Sequence, residues 1–361
     1  MADVQPFRAL RYGAAAEGPL ERLVAPPYDV ISPAEREELL ARSPHNVVRL
    51  TLPDDEDEAA RTLAGWRRDE VLVEEPEAVW VLQQDFDGPD GVARMRSGLV
   101  ASLRVEPYDR RVVLPHERTH AGPKEGRLRL LRATNVQLEP IFVLYDGPPA
   151  LVTPDRPPDL AVPGARLWRI EDAGDTVASF FAERQLLIAD GHHRYETALA
   201  FAAERGTPAS ARMPVVLVPT GDPGLSIFPT HRVFAGAVAL PDGGEPMDTV
   251  EAALAELERR PHDRAFAVAY ADGSARLVAG AEGELDVQLV DRLGHEGISY
   301  TPDAAAAVAA VDRGEAALAL LLRPTRIEDV FAVARRGEVM PQKSTYFFPK
   351  LVSGLLFHPV G

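Results

Sequence analysis

The chain has 361 residues, of which 46% are hydrophobic and 26% charged; this composition is typical of globular proteins, and the length suits two or three compact lobes. It contains no cysteine, which excludes disulfides, thiolate metal sites and cysteine nucleophiles, and its formal net charge of −16 argues against nucleic acid as a partner. The opening MADVQPFRALRY lacks the pattern of a signal peptide and no stretch is apolar enough to span a membrane, so we expect a cytoplasmic protein without a membrane partner.

The N-terminal part predicts two helices and a β-hairpin. Ser-Pro-Ala-Glu at 32–35 is a capping box, and it starts a helix that must end before Pro44. The apolar run 46–52, NVVRLTL, predicts a short strand, and the acidic run after it opens a second helix through Trp66. Apolar stretches on both sides of Gly-Pro-Asp-Gly at 88–91 predict the hairpin.

The rest of the chain alternates between strands and helices. The polar stretch 114–135 predicts a loop that leads into a strand at 139–146, and the Pro-rich segment 147–163 is typical of a linker. Strand, helix, strand and helix follow, and Gly206 closes the last of these helices. A hairpin is expected around Asp272-Gly273, and the aromatic tail is expected to pack back on the body of the protein.

These elements predict an α/β fold with a mixed sheet and some α+β character, because strands form hairpins in some places and alternate with helices in others. We expect an N-terminal α/β lobe at 1–146, a core at 147–240 and a smaller C-terminal α/β region at 241–361.

The sequence LLIADGHHRYETALAF carries the strongest candidate site. An apolar strand ends at Asp190, turns at Gly191 and enters a helix, whose N-terminal amides and dipole favour an anion. His192, His193 and Arg194 in the first turn add donors to phosphate, while Asp190 either caps the helix or binds a metal ion. The alternative is an ordinary capped helix with exposed histidines.

Several separated motifs resemble the domain-of-unknown-function 1015 (DUF1015) family over nearly the whole chain. In order, they are FRALRY, VAPPYDVIS, HERTHAGPKEGRLRLLRATN, DGHHRYETAL, PTHRV and MPQKSTYFFPKLVSGLLF. The DGHHRY element is in turn similar to the phosphate-binding turn of the ParB and sulfiredoxin superfamily, whose members include a nucleotide-dependent kinase of free serine. The resemblance implies that 147–240 is a ParB/sulfiredoxin-like nucleotide-binding core with additional α/β lobes around it. His192 stands where sulfiredoxins have their cysteine, which sets sulfinic acid repair aside.

Residues 116–120, HERTH, match the H-E-x-x-H pattern of zinc peptidases. Pro115 before this segment and Gly122-Pro123 after it leave too little chain for the helix that this geometry requires. We therefore expect no zinc, and we expect that His116 and His120 do not meet at one metal ion.

The same segment is a candidate polar loop. Glu117 is a candidate base or Mg²⁺ ligand, and His116 is a candidate for proton chemistry. Lys124 and Arg127 would neutralise phosphate charge. The alternative is an exposed loop without a function.

Two further candidates lie near the ends of the chain. Asp29 follows two prolines and is a candidate base or metal ligand, with turn capping as its alternative role. GEVMPQKST at 337–345 lacks the glycine that precedes the lysine of a P-loop, but Lys343 and Ser344 remain within the candidate phosphate-binding set. The chain has only three lysines, Lys124, Lys343 and Lys350, which suggests a specific role for each of them. The alternatives are chance survival and, for Lys343, a cap on the aromatic tail at the surface.

Two hypotheses follow. The first is a phosphotransferase resembling free serine kinase, which uses ATP or ADP and Mg²⁺, the latter on Asp190 and Glu117, to act on a small hydroxylated metabolite. The second is a ParB-like regulator that binds or hydrolyses a nucleotide and has no small-molecule acceptor. In both, residues 191–194 form the mouth of the main pocket, and Glu117, Lys124 and Lys343 approach Arg194.

Overall fold

The computed structural model describes residues 1–117, 121–236, 238–240 and 244–361, and of residues 121–123 it describes the backbone alone. The α-helices in these ranges are α1 Pro33–Arg42, α2 Val48–Thr51, α3 Glu56–Arg68, α4 Ala121–Thr134, α5 Gly174–Phe181, α6 His192–Arg205, α7 Val250–Arg259, α8 Asp286–Asp291, α9 Ala304–Asp312 and α10 Ile327–Arg335. Short 3-10 helices lie at Leu20–Arg22, Tyr28–Val30 and Tyr108–Arg110. No helix in the described residues is both long and apolar enough to cross a membrane.

The strands fall into two large sheets and three short pairs. They are β1 Val4–Gln5, β2 Leu10–Tyr12, β3 Leu72–Glu74, β4 Val79–Asp87, β5 Ala93–Arg104, β6 Val113–Leu114, β7 Val136–Gln137, β8 Ile141–Tyr145, β9 Leu160–Val162, β10 Ala165–Ile170, β11 Leu186–Asp190, β12 Arg212–Pro219, β13 Ser226–Phe228, β14 His231–Phe234, β15 Glu245–Met247, β16 Arg264–Ala271, β17 Ser274–Glu282, β18 Ile298–Thr301, β19 Leu318–Leu321, β20 Tyr346–Phe348 and β21 His358–Pro359.

The first sheet has nine strands in the order β6-β11-β8-β12-β5-β4-β10-β9, with β1 paired to β5. β11 runs parallel to β6 and β12 runs parallel to β8, whereas the other pairs are antiparallel. The predicted mixed α/β fold is confirmed. Strands from both 1–146 and 147–240 enter this sheet, so the predicted boundary at residue 147 does not separate two sheets. Independent folding of the three predicted segments stays a prediction.

Both faces of the first sheet are buried. On one face, Val143 and Leu217 pack with Phe181 of α5 and Tyr195 of α6. The opposite face packs against the C-terminal tail, in a cluster that joins Leu144, Leu187 and Val216 to Leu351 and Leu356. The tail therefore covers the sheet on the side away from α5 and α6.

The second sheet has six strands in the order β15-β17-β16-β19-β14-β18. Helices α7 and α9 pack on one face, where Ala253 and Ala307 join the cluster of Val268. The predicted hairpin around Asp272-Gly273 is confirmed, because both residues have positive φ angles, 52° and 71°, between β16 and β17.

Two predicted elements differ from the structure. Residues 46–52 were expected to form a strand, but they contain helix α2, whose first turn begins where Asn46 Oδ1 accepts the amide proton of Val48 at 3.0 Å. Val48, Leu50 and Thr51 of this segment are all buried. A short run of mostly buried residues shows no alternation of apolar and polar positions, so its sequence does not distinguish a strand from a helix.

The polar stretch 114–135 was expected to be a loop, but most of it is helix α4. Pro123 lies in the first turn of this helix, where a missing amide proton costs no intrahelical hydrogen bond. Lys124 and Arg127 consequently lie on a helix, and the segment is not the polar loop that the sequence predicts.

Candidate functional site

The strand-turn-helix predicted at 186–205 is confirmed by β11 and α6. Gly191 joins them with φ of 102°, and a Cβ atom at this position would lie 2.5 Å from Cγ2 of Ile141. Only glycine combines this backbone angle with such close contact. Gly191 is the N-cap residue of α6, and no side chain among the described residues makes a capping hydrogen bond at the start of this helix.

Asp190, at the end of β11, lies between two cations. Its Oδ2 accepts a hydrogen bond from Nη2 of Arg194 at 2.7 Å, and its Oδ1 accepts one from the ammonium group of Lys350 in the tail. Burial alone would raise the pKa of this carboxyl group, but Lys350 and Arg194 hold it well below its ordinary value. Asp190 is therefore an ionised carboxylate.

The guanidinium group of Arg194 forms hydrogen bonds with other residues of the protein. Its Nη2 binds Asp190, its Nη1 donates to the carbonyl oxygen of Pro140, and only 7% of the residue is exposed. Arg194 also lines a shallow pocket with Arg127, Glu139 and other residues. Phosphate binding by Arg194 stays a prediction, and it would require these internal bonds to be shared or exchanged.

His116 and His192 form a buried pair whose ring centroids are 4.7 Å apart. Nδ1 of His116 donates to the carbonyl oxygen of Ile188 at 2.7 Å, so its Nε2 is free of a proton and accepts from the hydroxyl of Thr345 at 2.9 Å. His192 Nε2 accepts the backbone amide proton of His116 at 3.2 Å.

Burial lowers the pKa of His116 to about 4 and holds that of His192 well below its ordinary value. Both imidazoles are therefore neutral at physiological pH. The alternative interpretation of this helix required exposed histidines, but His192 is buried. A direct contact between His192 and a phosphate stays a prediction.

Glu117 lies next to this pair and next to the tail, since residue 117 forms a parallel bridge with Met340. Burial raises the pKa of its carboxyl group. The charge of Lys343 and the backbone amide proton of Lys343, which the carboxylate accepts, partly oppose this effect, while the charge of Asp190 adds to it. Lys350 also acts on Glu117. Glu117 and Asp190 are thus neighbouring carboxyl groups with opposite pKa shifts.

Two buried arginines complete the surroundings. Arg96 interacts with the charge of Asp190 and donates to the carbonyl oxygen of Pro349 at 2.8 Å. Arg232 interacts with the charge of Glu117 and donates to the carbonyl oxygen of Lys343 at 3.2 Å. Burial lowers the pKa of each guanidinium group to about 10, so both remain cations at neutral pH.

Lys124 and Arg127 point to different partners. Nζ of Lys124 lies 2.6 Å from Oε2 of Glu196 on α6, so this lysine joins α4 to α6. Arg127 donates to the carbonyl oxygen of Thr51 at 2.7 Å and lies over the ring of Tyr28, at 4.2 Å from its centroid. Glu117 interacts with the charges of Lys343 and Asp190, whereas Lys124 contacts a separate carboxylate. The predicted approach of Glu117 and Lys343 to Arg194 stays a prediction.

Asp29 lies at the edge of this region. It belongs to the 3-10 helix Tyr28–Val30 and is exposed, and its charge acts on Arg194 and on Tyr28. The backbone amide of Tyr28 donates to Oε1 of Glu139 at 3.1 Å. The predicted role of Asp29 as base or metal ligand stays a prediction.

Three residues of this cluster did not enter the predicted site: Lys350, Arg96 and Arg232. The scarcity of lysine was the available signal for Lys350. For Arg96 the signal was an arginine shortly before the largely apolar run 98–103 of the same predicted strand. For Arg232 the signal was the motif PTHRV at 229–233, in which it follows His231.

Metal-binding groups are sparse. In the ranges that the structure describes, no group of three or more His, Asp or Glu residues is arranged to hold a metal ion. His120 lies outside these ranges, as do Arg118 and Thr119, so the predicted separation of His116 and His120 is not tested.

Comparisons with known proteins identify a family and several solved structures of low similarity. The model of the family described as a protein of unknown function (DUF1015) matches residues 4–296, and no curated protein matches the chain. A free serine kinase in complex with AMP is 19% identical with a TM-score of 0.41, covering 68% of this chain and 89% of its own. A C-terminally truncated SbnI from Staphylococcus aureus is 13% identical with a TM-score of 0.41, covering 71% and 87%. A conserved hypothetical protein from Pyrococcus furiosus is 17% identical with a TM-score of 0.37, covering 65% and 87%. Similarity at this level assigns no activity to this chain.

Proposed function

We propose that this chain, which belongs to the DUF1015 family, transfers a phosphoryl group between a nucleotide and the hydroxyl group of a small metabolite. The observation that carries the proposal is the opposite pKa shift of two neighbouring carboxyl groups, Asp190 and Glu117, within a cluster of cations. Environments that push neighbouring carboxyl groups apart in pKa are typical of sites that divide acid-base roles between them.

The cations supply the charge neutralisation that phosphoryl transfer requires. Five of them act on the two carboxylates, and they are Arg96, Arg194, Arg232, Lys343 and Lys350. This concentration of positive charge stands out in a chain whose net charge is −16. It suits a ligand that carries several negative charges, as the phosphate groups of ATP or ADP do.

Glu117 is assigned the role of general base. A carboxylate with a raised pKa takes a proton from a hydroxyl group more readily than an ordinary one does. Asp190 is a weaker base, because its pKa is lowered, and it positions Lys350 and Arg194 beside the reacting phosphate. His116 and His192 are neutral and fix the segment that carries Glu117 against β11.

The carboxylates of Glu117 and Asp190 suit a Mg²⁺ ion. In phosphoryl-transfer sites Mg²⁺ is often held by one or two carboxylates together with phosphate oxygens. Glu117 and Asp190 repel each other, and a cation beside them would relieve that repulsion. Each oxygen of Asp190 accepts one hydrogen bond and keeps a second lone pair, so Asp190 is the ligand we assign to Mg²⁺, and Glu117 keeps its role as base. When bound, Mg²⁺ neutralises charge on the transferred phosphate.

Phosphorus NMR of the purified chain with ATP or ADP, Mg²⁺ and a panel of hydroxy amino acids that includes serine tests the proposal. A new phosphomonoester signal is expected with one acceptor, together with the loss of a phosphate from the nucleotide. Glu117→Gln should slow this reaction about 100-fold or more, because removal of a general base typically costs that much. The exposed Glu338 provides the control, and Glu338→Gln should react at the normal rate.

Two outcomes would contradict the proposal. One is nucleotide binding without transfer to any acceptor, which would favour a nucleotide-dependent regulator. The other is transfer at an undiminished rate in Glu117→Gln, which would remove Glu117 from the reaction.

A further inference from the structure

A cleft of about 660 Å³ lies between the tip of the β4-β5 hairpin and the second sheet. None of the residues assigned to phosphoryl transfer lines it. Among the described residues, its walls contain five prolines, and we therefore name it the proline cleft; they are Pro89, Pro223, Pro229, Pro302 and Pro324. Proline fixes the backbone angle φ, so these walls lose little conformational entropy when a ligand binds.

The lining of the proline cleft is largely apolar. Leu225, Ile227 and Phe228 come from β13 and the loop before it, Leu254 comes from α7, and Leu322 follows β19. Concave apolar surfaces of this size, with a few polar groups among them, are typical of sites for small organic molecules.

His231 supplies a directed polar group in this lining. It is only 3% exposed, and its Nδ1 accepts the backbone amide proton of Leu322 at 3.1 Å. The proton of the neutral ring is therefore on Nε2. No hydrogen bond joins this Nε2 to any residue that the structure describes. An N–H donor that lines a cleft and has no partner among the described residues favours a ligand that offers an acceptor atom.

The charges around the cleft select against anions. Glu258 and Asp303 contribute negative charge to the lining. The positive charge of Arg94 faces Asp90 at 2.6 Å, and that of Arg323 faces Asp286 at 2.5 Å. The cations of the lining are thus already compensated, and so is Asp303, whose carboxylate accepts the amide protons of Ala305 and Ala306 at the start of α9. The exposed Glu258 remains to repel a phosphate or a sulfonate.

We propose that the proline cleft is a second binding site, for an uncharged or cationic organic molecule with an apolar body and one acceptor oxygen. The apolar body lies against Phe228 and the leucines, and the oxygen accepts a hydrogen bond from Nε2 of His231. This site is distinct from the Asp190 cluster in place and in ligand charge.

The neutral naphthalene ketone dye prodan is the probe for this site, because its emission shifts to the blue in an apolar pocket. Prodan should bind the full chain in a saturable manner, and the anionic dye anilinonaphthalene sulfonate should bind about tenfold more weakly. Ala304 lines the cleft at the start of α9, so Ala304→Trp should weaken prodan binding about tenfold by filling the space. Ala306, exposed on the same helix and outside the lining, gives the control variant Ala306→Trp, which should bind normally.

His231→Asn tests the polar contact, because asparagine retains an acceptor for the amide of Leu322 and removes the Nε2–H. We expect prodan affinity to fall about fivefold, the effect of one hydrogen bond. Absence of saturable prodan binding, equal binding to Ala304→Trp, or tighter binding of the anionic dye would each overturn the proposal. Because the probe is not a nucleotide, these results do not depend on whether the chain transfers phosphate.

Discussion

The ammonium group of Lys350 donates a hydrogen bond to Oδ1 of Asp190 and so joins the C-terminal tail to the end of β11 across 160 residues of chain. The same carboxylate accepts a hydrogen bond from Arg194 at 2.7 Å. The three side chains are at most 20% exposed. Loss of Lys350 leaves this largely buried carboxylate with Arg194 as its remaining hydrogen-bonded cation.

Lys350→Met should therefore lower the free energy of unfolding by about 3 kcal/mol. Urea unfolding monitored by circular dichroism measures this loss. The double variant Lys350→Met/Asp190→Asn should lose less than the sum of the two single variants, because the contact between Lys350 and Asp190 can be lost only once. Lys124→Met is the matched control; its ion pair with Glu196 is more exposed, and its removal should cost less than about 1 kcal/mol. Additive losses in the double variant would show that Lys350 and Asp190 do not interact in solution.

Glu117→Gln should become more stable than the natural protein as the pH rises. The folded-state pKa of Glu117 is raised, so the stability linked to its protonated form is present at low pH and is lost as the pH rises through that pKa. The glutamine variant stays neutral and does not suffer this loss. The difference in unfolding free energy, measured by urea titration between pH 4 and pH 8, should begin to grow above the ordinary value of 4.5 and then level off. Glu338→Gln should show no such growth, and a flat difference for Glu117→Gln would contradict the burial of its charge.

The buried histidines should make the protein sensitive to mild acid. Burial lowers the pKa of His358 to about 4 from an ordinary 6.5. Within this range the unfolded chain binds a proton that the folded chain does not, so stability falls as the pH drops. His358→Gln should reduce the pH slope of the unfolding free energy by about 1.4 kcal/mol per pH unit between these values. The control is His295→Gln, since the side chain of His295 is 55% exposed. Equal slopes in both variants would rule out a neutral, buried His358.

Gly191→Ala should destabilise the protein and disturb the turn that presents Asp190. The new Cβ would meet Ile141 Cγ2 at 2.5 Å, in addition to the strain of a positive φ angle. Gly206→Ala is the control for the strain alone, because φ there is 66° and no heavy atom lies within 4 Å of the added Cβ. We expect Gly206→Ala to cost about 1 kcal/mol and Gly191→Ala at least about 2 kcal/mol more, measured by thermal and urea unfolding. Similar losses in the two variants would mean that the contact with Ile141 relaxes.

The sequence by itself determined the elements whose signals are local. The capping box of Ser32 and Glu35 is formed as predicted, and so is the β4-β5 hairpin. The strand, turn and helix around Gly191 also follow from residues within a few positions of one another. Backbone angles, caps and hydrophobic periods depend on near neighbours, so they can be derived from the chain alone.

Only the tertiary structure decided which side chains meet at Asp190 and how they are ionised. Lys350 reaches Asp190 because the tail packs over the first sheet, and the sequence indicated that packing without indicating the partner. The sequence placed Lys124 with Lys343 near Arg194, whereas packing of α4 on α6 directs Lys124 to Glu196. The raised pKa of Glu117 and the lowered pKa of Asp190 arise from burial and from charges distant in the chain. Desolvation and long-range Coulomb interactions exist only once the chain has folded, because both depend on distances in space and not on separation in sequence.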